Sequence, residues 1–263
     1  MEVSASGYYA WRKRLTKPPC LKTKKLAELV RNCYFENRRR YGSRRIKQAL
    51  GKDGFKIGRS KVRRLMSEAN LKAIQNKAFK PKTTDSQGTS AAPNLLAEVT
   101  TKECAPAKII IGDITYIRLR GGKFCYLAMW QDKVTRRIIG WSLSMEMTQE
   151  IVLAALKKAI RKGLVKAGAI VHSDRGSQYA SNGFRQLLQR HGFRQSMSDK
   201  GNCYDNAQAE SFFSRFKAEL IEGGDFEDVE QARSEIFSYI EGYYNRVRLH
   251  SSLGYKSPIE FEM

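Results

Sequence analysis

Residues 107–119 read AKIIIGDITYIRL, a run of mostly apolar side chains interrupted by one carboxylate, that of Asp113. Isoleucine, threonine and tyrosine in such density are typical of a strand that lies inside a sheet. A carboxylate flanked by isoleucines is costly to bury unless it binds a metal ion or accepts hydrogen bonds. The stretch therefore predicts the first strand of a core domain, and Asp113 is a candidate functional residue.

The residues that follow predict the rest of an α/β domain. KFCYLAMWQDK (123–133) and RRIIGWSLS (136–144) come after short polar breaks, so together with the first run they predict three consecutive antiparallel strands. After them we expect a helix at 148–163, a strand at 167–174, a helix at 182–192, an edge strand at 193–198, and helices near 205–220 and 228–248. This is the order of the ribonuclease H-like α/β fold with its mixed sheet, although other α/β folds could share it.

The N-terminal part predicts a small all-α domain. Ser43 can cap a helix that buries Ile46 and Leu50, the stretch GKDG at 51–54 breaks it, and a second helix runs from about 59 to 69. Two short helices joined in this way indicate a helix-turn-helix. We predict a basic helical region at 1–73 with the helix-turn-helix at about 38–71, a linker at 74–104 and a second domain at 105–263.

Charge is strongly positive and uneven along the chain. The 263 residues carry a net charge of +22, and residues 1–105 hold 25 Lys and Arg against 8 Asp and Glu. Such a domain is typical of proteins that bind polyanions, because neutralising phosphates releases condensed counterions. We expect double-stranded DNA as the partner, or else a solvated basic face, and the candidate contacts are Arg44, Arg45, Arg59, Lys61, Arg63 and Arg64.

Membrane and secretory classes are disfavoured. No run of about 18 apolar residues occurs and no signal-peptide pattern opens the chain, so we expect an intracellular protein without a membrane partner. Five scattered cysteines without a CxxC pair support neither a disulfide framework nor a structural zinc site.

Two further carboxylates are candidates for the same site as Asp113. Asp174 ends the predicted fourth strand, where α/β sheets present ligand-binding residues. A third acid from a facing helix would complete a site for two hard divalent cations. Glu210 flanks the apolar stripe of the predicted helix in GNCYDNAQAESFFSRFKAEL (201–220), with Lys217 on its side. Acids make up about a tenth of the chain, so the spacing from Asp174 to Glu210 is weak evidence by itself.

The other two acids of that stretch have ordinary structural explanations. We expect Asp205 to cap the helix and Glu219, more than two turns beyond Glu210, to be solvated or salt-bridged at the surface.

Four collinear motifs are similar to one known family. They are GDITYI (112–117), HSDRGSQY (172–179), GNCYDNAQAESFFSRFKAEL (201–220) and YYNRVRLHSSLGYKSPIEF (243–261). They closely resemble the integrase-core transposases of bacterial insertion sequences, and more narrowly the second-frame (OrfB-type) protein of the IS-three group, kin to retroviral integrases. RRYGSRRIKQAL and RSKVRRLM in turn resemble the helix-turn-helix that precedes the catalytic core in these proteins.

The resemblance implies a retroviral-integrase-like core whose DDE triad is Asp113, Asp174 and Glu210, with two Mg²⁺ or Mn²⁺ ions. It implies metal-dependent cleavage and strand transfer of element ends and target DNA by a homo-oligomer on DNA, in the bacterial cytoplasm at the nucleoid. Lys217 falls on the family's basic residue and would contact phosphate. Candidates to support the site are His172, Arg175 and Asn206, with a satisfied strand-end histidine as an equal reading of His172.

The chain starts near the point where a frameshifted fusion would join an upstream partner, so an OrfA partner or fusion is a further expectation. Two alternatives to a transposase stay open from the sequence. One is a non-catalytic DNA-binding regulator or inactive remnant, and the other is a metal-dependent nuclease without joining activity.

Overall fold

The computed structural model describes residues 4–16, 21–74, 92–96, 99, 105–199, 206–221 and 224–263. The chain divides into two compact units, residues 1–74 and 75–263. Among the described residues, no helix has the length and apolar character needed to cross a membrane.

The first unit is helical. Its helices are α1 (Ala5–Thr16), α2 (Leu21–Glu36), α3 (Ser43–Lys52) and α4 (Arg59–Glu68). The apolar faces of α2, α3 and α4 bury Val30, Ile46 and Val62 against one another. Ser43 does not cap α3 as predicted, because it is the first helical residue and Gly42, which has no side chain to offer, stands at the cap position.

The second unit is built on a five-stranded mixed sheet. The strands are β1 (Ile109–Arg118), β2 (Phe124–Asp132), β3 (Ile138–Ser144), β4 (Ile170–Ser173) and β5 (Arg194–Met197). They are ordered β3-β2-β1-β4-β5; β1 to β3 are antiparallel, and β4 and β5 run parallel to β1. The predicted meander is confirmed, and this strand order is that of the ribonuclease H-like fold.

Helices cover both faces of the sheet. On one face Ile110 packs with α5 (Gln149–Arg161) and α6 (Asn182–Arg190). On the other face Ile111 packs with α7 (Ala207–Leu220) and α8 (Val229–Phe237). Neighbouring residues of β1 thus serve opposite layers, as the two-residue period of a strand requires. A short helix, α9 (Pro258–Glu262), ends the chain.

The helix predicted at 228–248 has a different form. The α-helix α8 stops at Phe237, and residues 238–244 continue with π-helical winding. Beyond it the Asn245 side chain donates to the Ile138 carbonyl at 3.0 Å and accepts from the Ile138 backbone N–H at 2.9 Å. The Asn245 side chain thereby joins the end of the π-helical segment to the start of β3. Tyr239 and Tyr244, both within this segment, are buried in the core.

The prediction that Glu219 faces solvent is wrong, whereas the salt bridge expected as the alternative is present. The Glu219 side chain is buried, 7% exposed, and Arg248 Nη2 lies 2.8 Å from Oε1 while Nε lies 3.0 Å from Oε2. The Tyr239 hydroxyl also donates to Oε2 at 2.9 Å. Glu219 is buried because the chain reverses after α8 and brings an arginine from 29 residues further along against α7.

Residues 92–96 fall in the stretch predicted as a linker, yet they belong to the second unit and contact its sheet. The Leu95 backbone N–H donates to Ser196 Oγ at 3.0 Å, beside the edge strand β5. Leu96 is buried with Ile109 and Ile170. The described end of the predicted linker is therefore part of the domain's packing.

Candidate active site

The register of two parallel strands brings Asp113 and Asp174 side by side. Pairing between β1 and β4 ends with Ile111 opposite His172, and each aspartate lies two residues further along its own strand direction. β1 continues to Arg118, whereas β4 ends at Ser173. Because paired strands lie about 4.8 Å apart, Asp113 and Asp174 lie next to each other just beyond the last paired residues of β1 and β4.

Gly112 sets the backbone of β1 immediately before Asp113. The indole of Trp130, on the neighbouring strand β2, lies so close that a Cβ at Gly112 would come within 2.3 Å of it. Trp130 in turn stacks on Phe184 of α6, with ring centroids 5.8 Å apart. Any side chain at 112 would displace the indole, so glycine is required by this close approach.

The surroundings of Asp113 strongly disfavour its ionised form. Burial raises its pKa well above the usual range, and the negative charge of Asp174 and, more weakly, that of Glu210 raise it further. The Ile114 backbone N–H donates to Oδ1 at 2.8 Å, and this bond and the charge of Lys217 act in the opposite direction. The charges of two carboxylates and one ammonium group therefore all act on Asp113.

Asp174 lies at the rim of the opening and is exposed. Its Oδ1 accepts a hydrogen bond of 3.0 Å from the Gly176 backbone N–H, and the protein atoms around the carboxyl raise its pKa. A Cβ on Gly176 would lie 3.0 Å from Asp174 Oδ1, so glycine lets the loop fold tightly over the carboxylate.

α7 supplies Glu210 and Lys217. Its apolar side buries Phe212, Phe213 and Phe216, which leaves Glu210 exposed in the first turn. Partial burial raises the pKa of Glu210. Burial lowers the pKa of Lys217, while Asp113 acts to raise it.

Two of the three residues expected to support the site connect β4 to β5 and to the loop beyond β5. His172 is buried, with Nδ1 2.8 Å from Ser196 Oγ and Nε2 3.1 Å from Ser198 Oγ. Arg175 Nε donates to the Ser198 carbonyl at 2.8 Å. These bonds hold the end of β4, which leads into Asp174. Both ring nitrogens of His172 have hydrogen-bond partners, which is the structural role that the sequence allowed for His172 as an alternative to a functional one.

The third residue, Asn206, precedes α7 and is buried, and its Oδ1 accepts no hydrogen bond from the residues that the structure describes. It stands at the cap position of α7 without a capping bond from its side chain. The cap predicted at Asp205 lies outside the described residues.

Two tyrosines near the carboxylates were not singled out from the sequence. Tyr116, three residues after Asp113 on β1, is half exposed, and the Lys217 ammonium lies over its ring. Tyr179, five residues after Asp174, is buried. Both belong to the quoted motifs, and their position beside an acid was the only available signal.

The candidate DNA contacts in the first unit differ in exposure. Arg59, Arg63 and Arg64 of α4 are exposed, and Lys61 is half-buried. Arg64 Nε lies 3.5 Å from Glu68 on the same helix. On α3, Arg44 is exposed, but Arg45 is half-buried, donates to the Arg40 carbonyl at 3.4 Å and lies over the Tyr41 ring.

Side chains from three elements thus converge, but they do not form a finished metal cage. Within the described ranges, no group of three or more His, Cys, Asp or Glu side chains is close enough together to hold an ion.

Comparison with known proteins defines the class first. Integrase core domain models match residues 104–203 and 191–258, and an HTH-like domain model matches residues 22–79. The second unit is therefore an integrase core, and a helix-turn-helix-like domain precedes it, as the sequence predicted.

The relatives identify the family more narrowly. The chain is 41% identical over 238 residues to a transposase for insertion sequence element IS904 of Lactococcus lactis, covering 90% of this chain and 93% of the relative. It is 36% identical over 267 residues to transposase InsF for insertion sequence IS3A of Escherichia coli, covering 100% and 91%. The chain belongs to the integrase-core transposases of the IS3 family of insertion sequences.

Solved structures with a similar fold include viral integrases. The HTLV-2 integrase catalytic core domain in complex with magnesium covers 60% of this chain and 97% of its own, with a TM-score of 0.43 and 12% identity.

Proposed function

We propose that this transposase cleaves and joins DNA strands at a divalent-metal site formed by Asp113, Asp174 and Glu210. The observation that carries the proposal is the pairing of β1 with β4, which sets Asp113 and Asp174 at matching positions on adjacent strands, with α7 and its Glu210 packed on the same sheet. The pKa of Asp113, raised by burial and by the charges of Asp174 and Glu210, agrees with such a site. A buried carboxylate with two further acids near it is stabilised in its ionised form when positive charge joins them.

The donor set fits hard cations. Carboxylate oxygens are the ligands that Mg²⁺ and Mn²⁺ prefer, and the described site offers them from β1, from the end of β4 and from α7. A pair of such ions supplies activation of the attacking oxygen and stabilisation of the leaving oxygen. Because Glu210 stands on a helix and not on the sheet, a small movement of α7 would adjust its distance to the two aspartates.

The chain's other residues would bind and orient the DNA. Lys217, two turns after Glu210 and electrostatically coupled to Asp113, would contact the phosphate beside the cut bond. His172 and Arg175, bonded to the serines that follow or belong to β5, would keep Asp174 in place. In the first unit, the exposed arginines of α4 would face the DNA duplex, and α4 would be the recognition helix.

The test combines the whole protein, Mn²⁺ and labelled DNA carrying the element ends. The wild type should yield joined strands, whereas Asp174→Asn should bind the same DNA without cutting it. Asp225→Asn is the matched control, because Asp225 is an exposed aspartate between α7 and α8 whose carboxylate lies 3.6 Å from Arg118 Nε. Its products should equal those of the wild type.

Other outcomes would favour other functions. Equal products from the wild type and Asp174→Asn would contradict the proposed triad. Tight DNA binding by all three proteins without any product would favour a non-catalytic regulator. Cut but never joined strands would favour a nuclease.

A further inference from the structure

Tyr179 has a buried hydroxyl group that no assigned role explains. The side chain is 1% exposed, and its oxygen has no hydrogen-bond partner among the residues that the structure describes. Buried hydroxyl groups nearly always have a partner, because an unsatisfied one loses its bonds to water and receives nothing in return. Phenylalanine would fill the same space without this cost.

Aromatic packing fixes the Tyr179 ring beside the site. The ring meets Trp130 at a centroid distance of 5.8 Å and Phe184 at 5.7 Å, both edge to face. Trp130 is the indole that lies against Gly112, next to Asp113. Tyr179 therefore has little freedom to seek another partner by rotating.

The same ring approaches the loop that carries Asp174. A Cβ built on Gly176 would lie 3.4 Å from Tyr179 Cδ2 and 3.0 Å from Asp174 Oδ1. The Tyr179 backbone N–H donates to the Gly176 carbonyl at 3.0 Å, so the turn is tight. Burial raises the pKa of Tyr179 well above its usual range, and the charges of Asp174 and then Asp113 raise it further. The phenol therefore keeps its proton at neutral pH and is available as a hydrogen-bond donor, within reach of the charges of Asp174 and Asp113.

We propose that Tyr179 is a positioning residue whose hydroxyl donates a hydrogen bond to the Asp174 carboxylate when Asp174 binds a divalent cation. The inference rests on the proposed metal site. A carboxylate that gives one oxygen to a cation keeps acceptor capacity on the other, and a donor there fixes its orientation. Without a cation, Asp174 Oδ1 is held by the Gly176 N–H, and the Tyr179 hydroxyl has no hydrogen-bond partner among the described residues.

The variant Tyr179→Phe separates this role from simple packing. It removes only the oxygen, so without metal the protein should unfold at the same temperature as the wild type or a higher one. Its affinity for Mn²⁺ alone, measured by calorimetry on the whole chain, should fall about tenfold or more, as is typical when an outer hydrogen bond to a metal ligand is lost.

Tyr239→Phe is the matched control. Its hydroxyl donates to Glu219 Oε2 at 2.9 Å, and Tyr239 belongs to the segment after α8, not to the strand ends that carry Asp113 and Asp174. This variant should lose thermal stability without metal and bind Mn²⁺ like the wild type.

Two results would overturn the inference: Mn²⁺ affinity of Tyr179→Phe equal to that of the wild type, or a loss of metal-free stability comparable to that of Tyr239→Phe. Asp174→Asn tells these results apart from failure of the metal site itself. If Asp174→Asn binds Mn²⁺ as the wild type does, the proposed site is wrong. If it loses Mn²⁺ while Tyr179→Phe keeps it, the site stands and only the role of Tyr179 falls.

Discussion

The ammonium group of Lys217 lies over the face of the Tyr116 ring, with Nζ 4.1 Å from the ring centroid. This contact joins α7, which carries Glu210, to β1, which carries Asp113. The Tyr116 ring in turn meets the ring of Phe124 edge to face, with the two centroids 5.7 Å apart. The lysine is thus held beside the acids by an aromatic face and not by an ion pair with them.

Replacing Tyr116 by leucine should therefore slow strand cleavage. A cation–π contact at a partly exposed site is worth about 0.5–1 kcal/mol, which corresponds to a loss of about two- to fivefold in rate. Tyr116→Phe keeps the ring face and should cleave like the wild type. Single-turnover cleavage of labelled element ends measures both, and equal rates for the two variants would show that the ring does not hold Lys217 for catalysis.

Stability without metal should depend on pH through Asp113. Its pKa is raised in the folded state, so the folded protein binds more protons than the unfolded chain above the usual carboxyl range. The repulsion is absent at low pH and grows as pH rises through the raised pKa. Asp113→Asn, whose amide oxygen can still accept from Ile114, should be more stable than the wild type at neutral pH.

The gap should be on the order of 1 kcal/mol for each unit by which the pKa is raised, and it should close towards pH 4. Thermal unfolding of both proteins in EDTA across this range measures it. Added Mn²⁺ should stabilise the wild type far more than the variant. A wild type that is the more stable of the two at pH 7 in EDTA would contradict the prediction.

Arg248→Met should destabilise the second unit by about 3–5 kcal/mol, because it leaves the buried Glu219 carboxylate without its cation. The double variant that also carries Glu219→Leu should lose less than Arg248→Met alone. Urea unfolding of the two single variants and the double variant gives the coupling. Strictly additive losses would mean that the pair does not act as a unit.

Two arginines of the first unit should separate DNA contact from folding. Arg63→Ala, at an exposed position of α4, should leave stability unchanged and reduce the slope of log affinity against log salt by about one. Arg45→Ala should lower thermal stability as well, because Arg45 bonds the Arg40 carbonyl and covers the Tyr41 ring. Binding assays at several salt concentrations and thermal unfolding check both, and an unchanged salt slope in Arg63→Ala would remove it from the contact surface.

The local sequence pattern was sufficient to predict an element when the residues of that element alone determine its buried face. The isoleucine run around Asp113 marks a buried strand with an acid that needs a reason, and the structure has β1 there. The place of Glu210 beside the phenylalanine stripe followed from helical periodicity in the same way.

The features that the local pattern did not predict depend on contacts between residues far apart in the sequence. Glu219 looked like a surface residue because its cation, Arg248, comes 29 residues later and arrives only after the chain reverses. The π-helical winding of residues 238–244 ends where the Asn245 side chain bonds the backbone of β3, a distant contact that helical periodicity cannot reveal. Leu96 looked like linker because its neighbours in the fold, Ile109 and Ile170, lie on two different strands.

The contact of Gly112 with Trp130 also has a meaning for how such elements age. A mobile element leaves many copies, and each copy collects substitutions one at a time. A methyl group at 112 would clash with the indole, so a larger residue at 112 requires either a shift of the Trp130 ring or a smaller residue at 130. A genomic copy that has lost Gly112 but kept Trp130 is therefore expected to encode an inactive transposase. The codons for these two residues could then help to distinguish inactive copies from active ones.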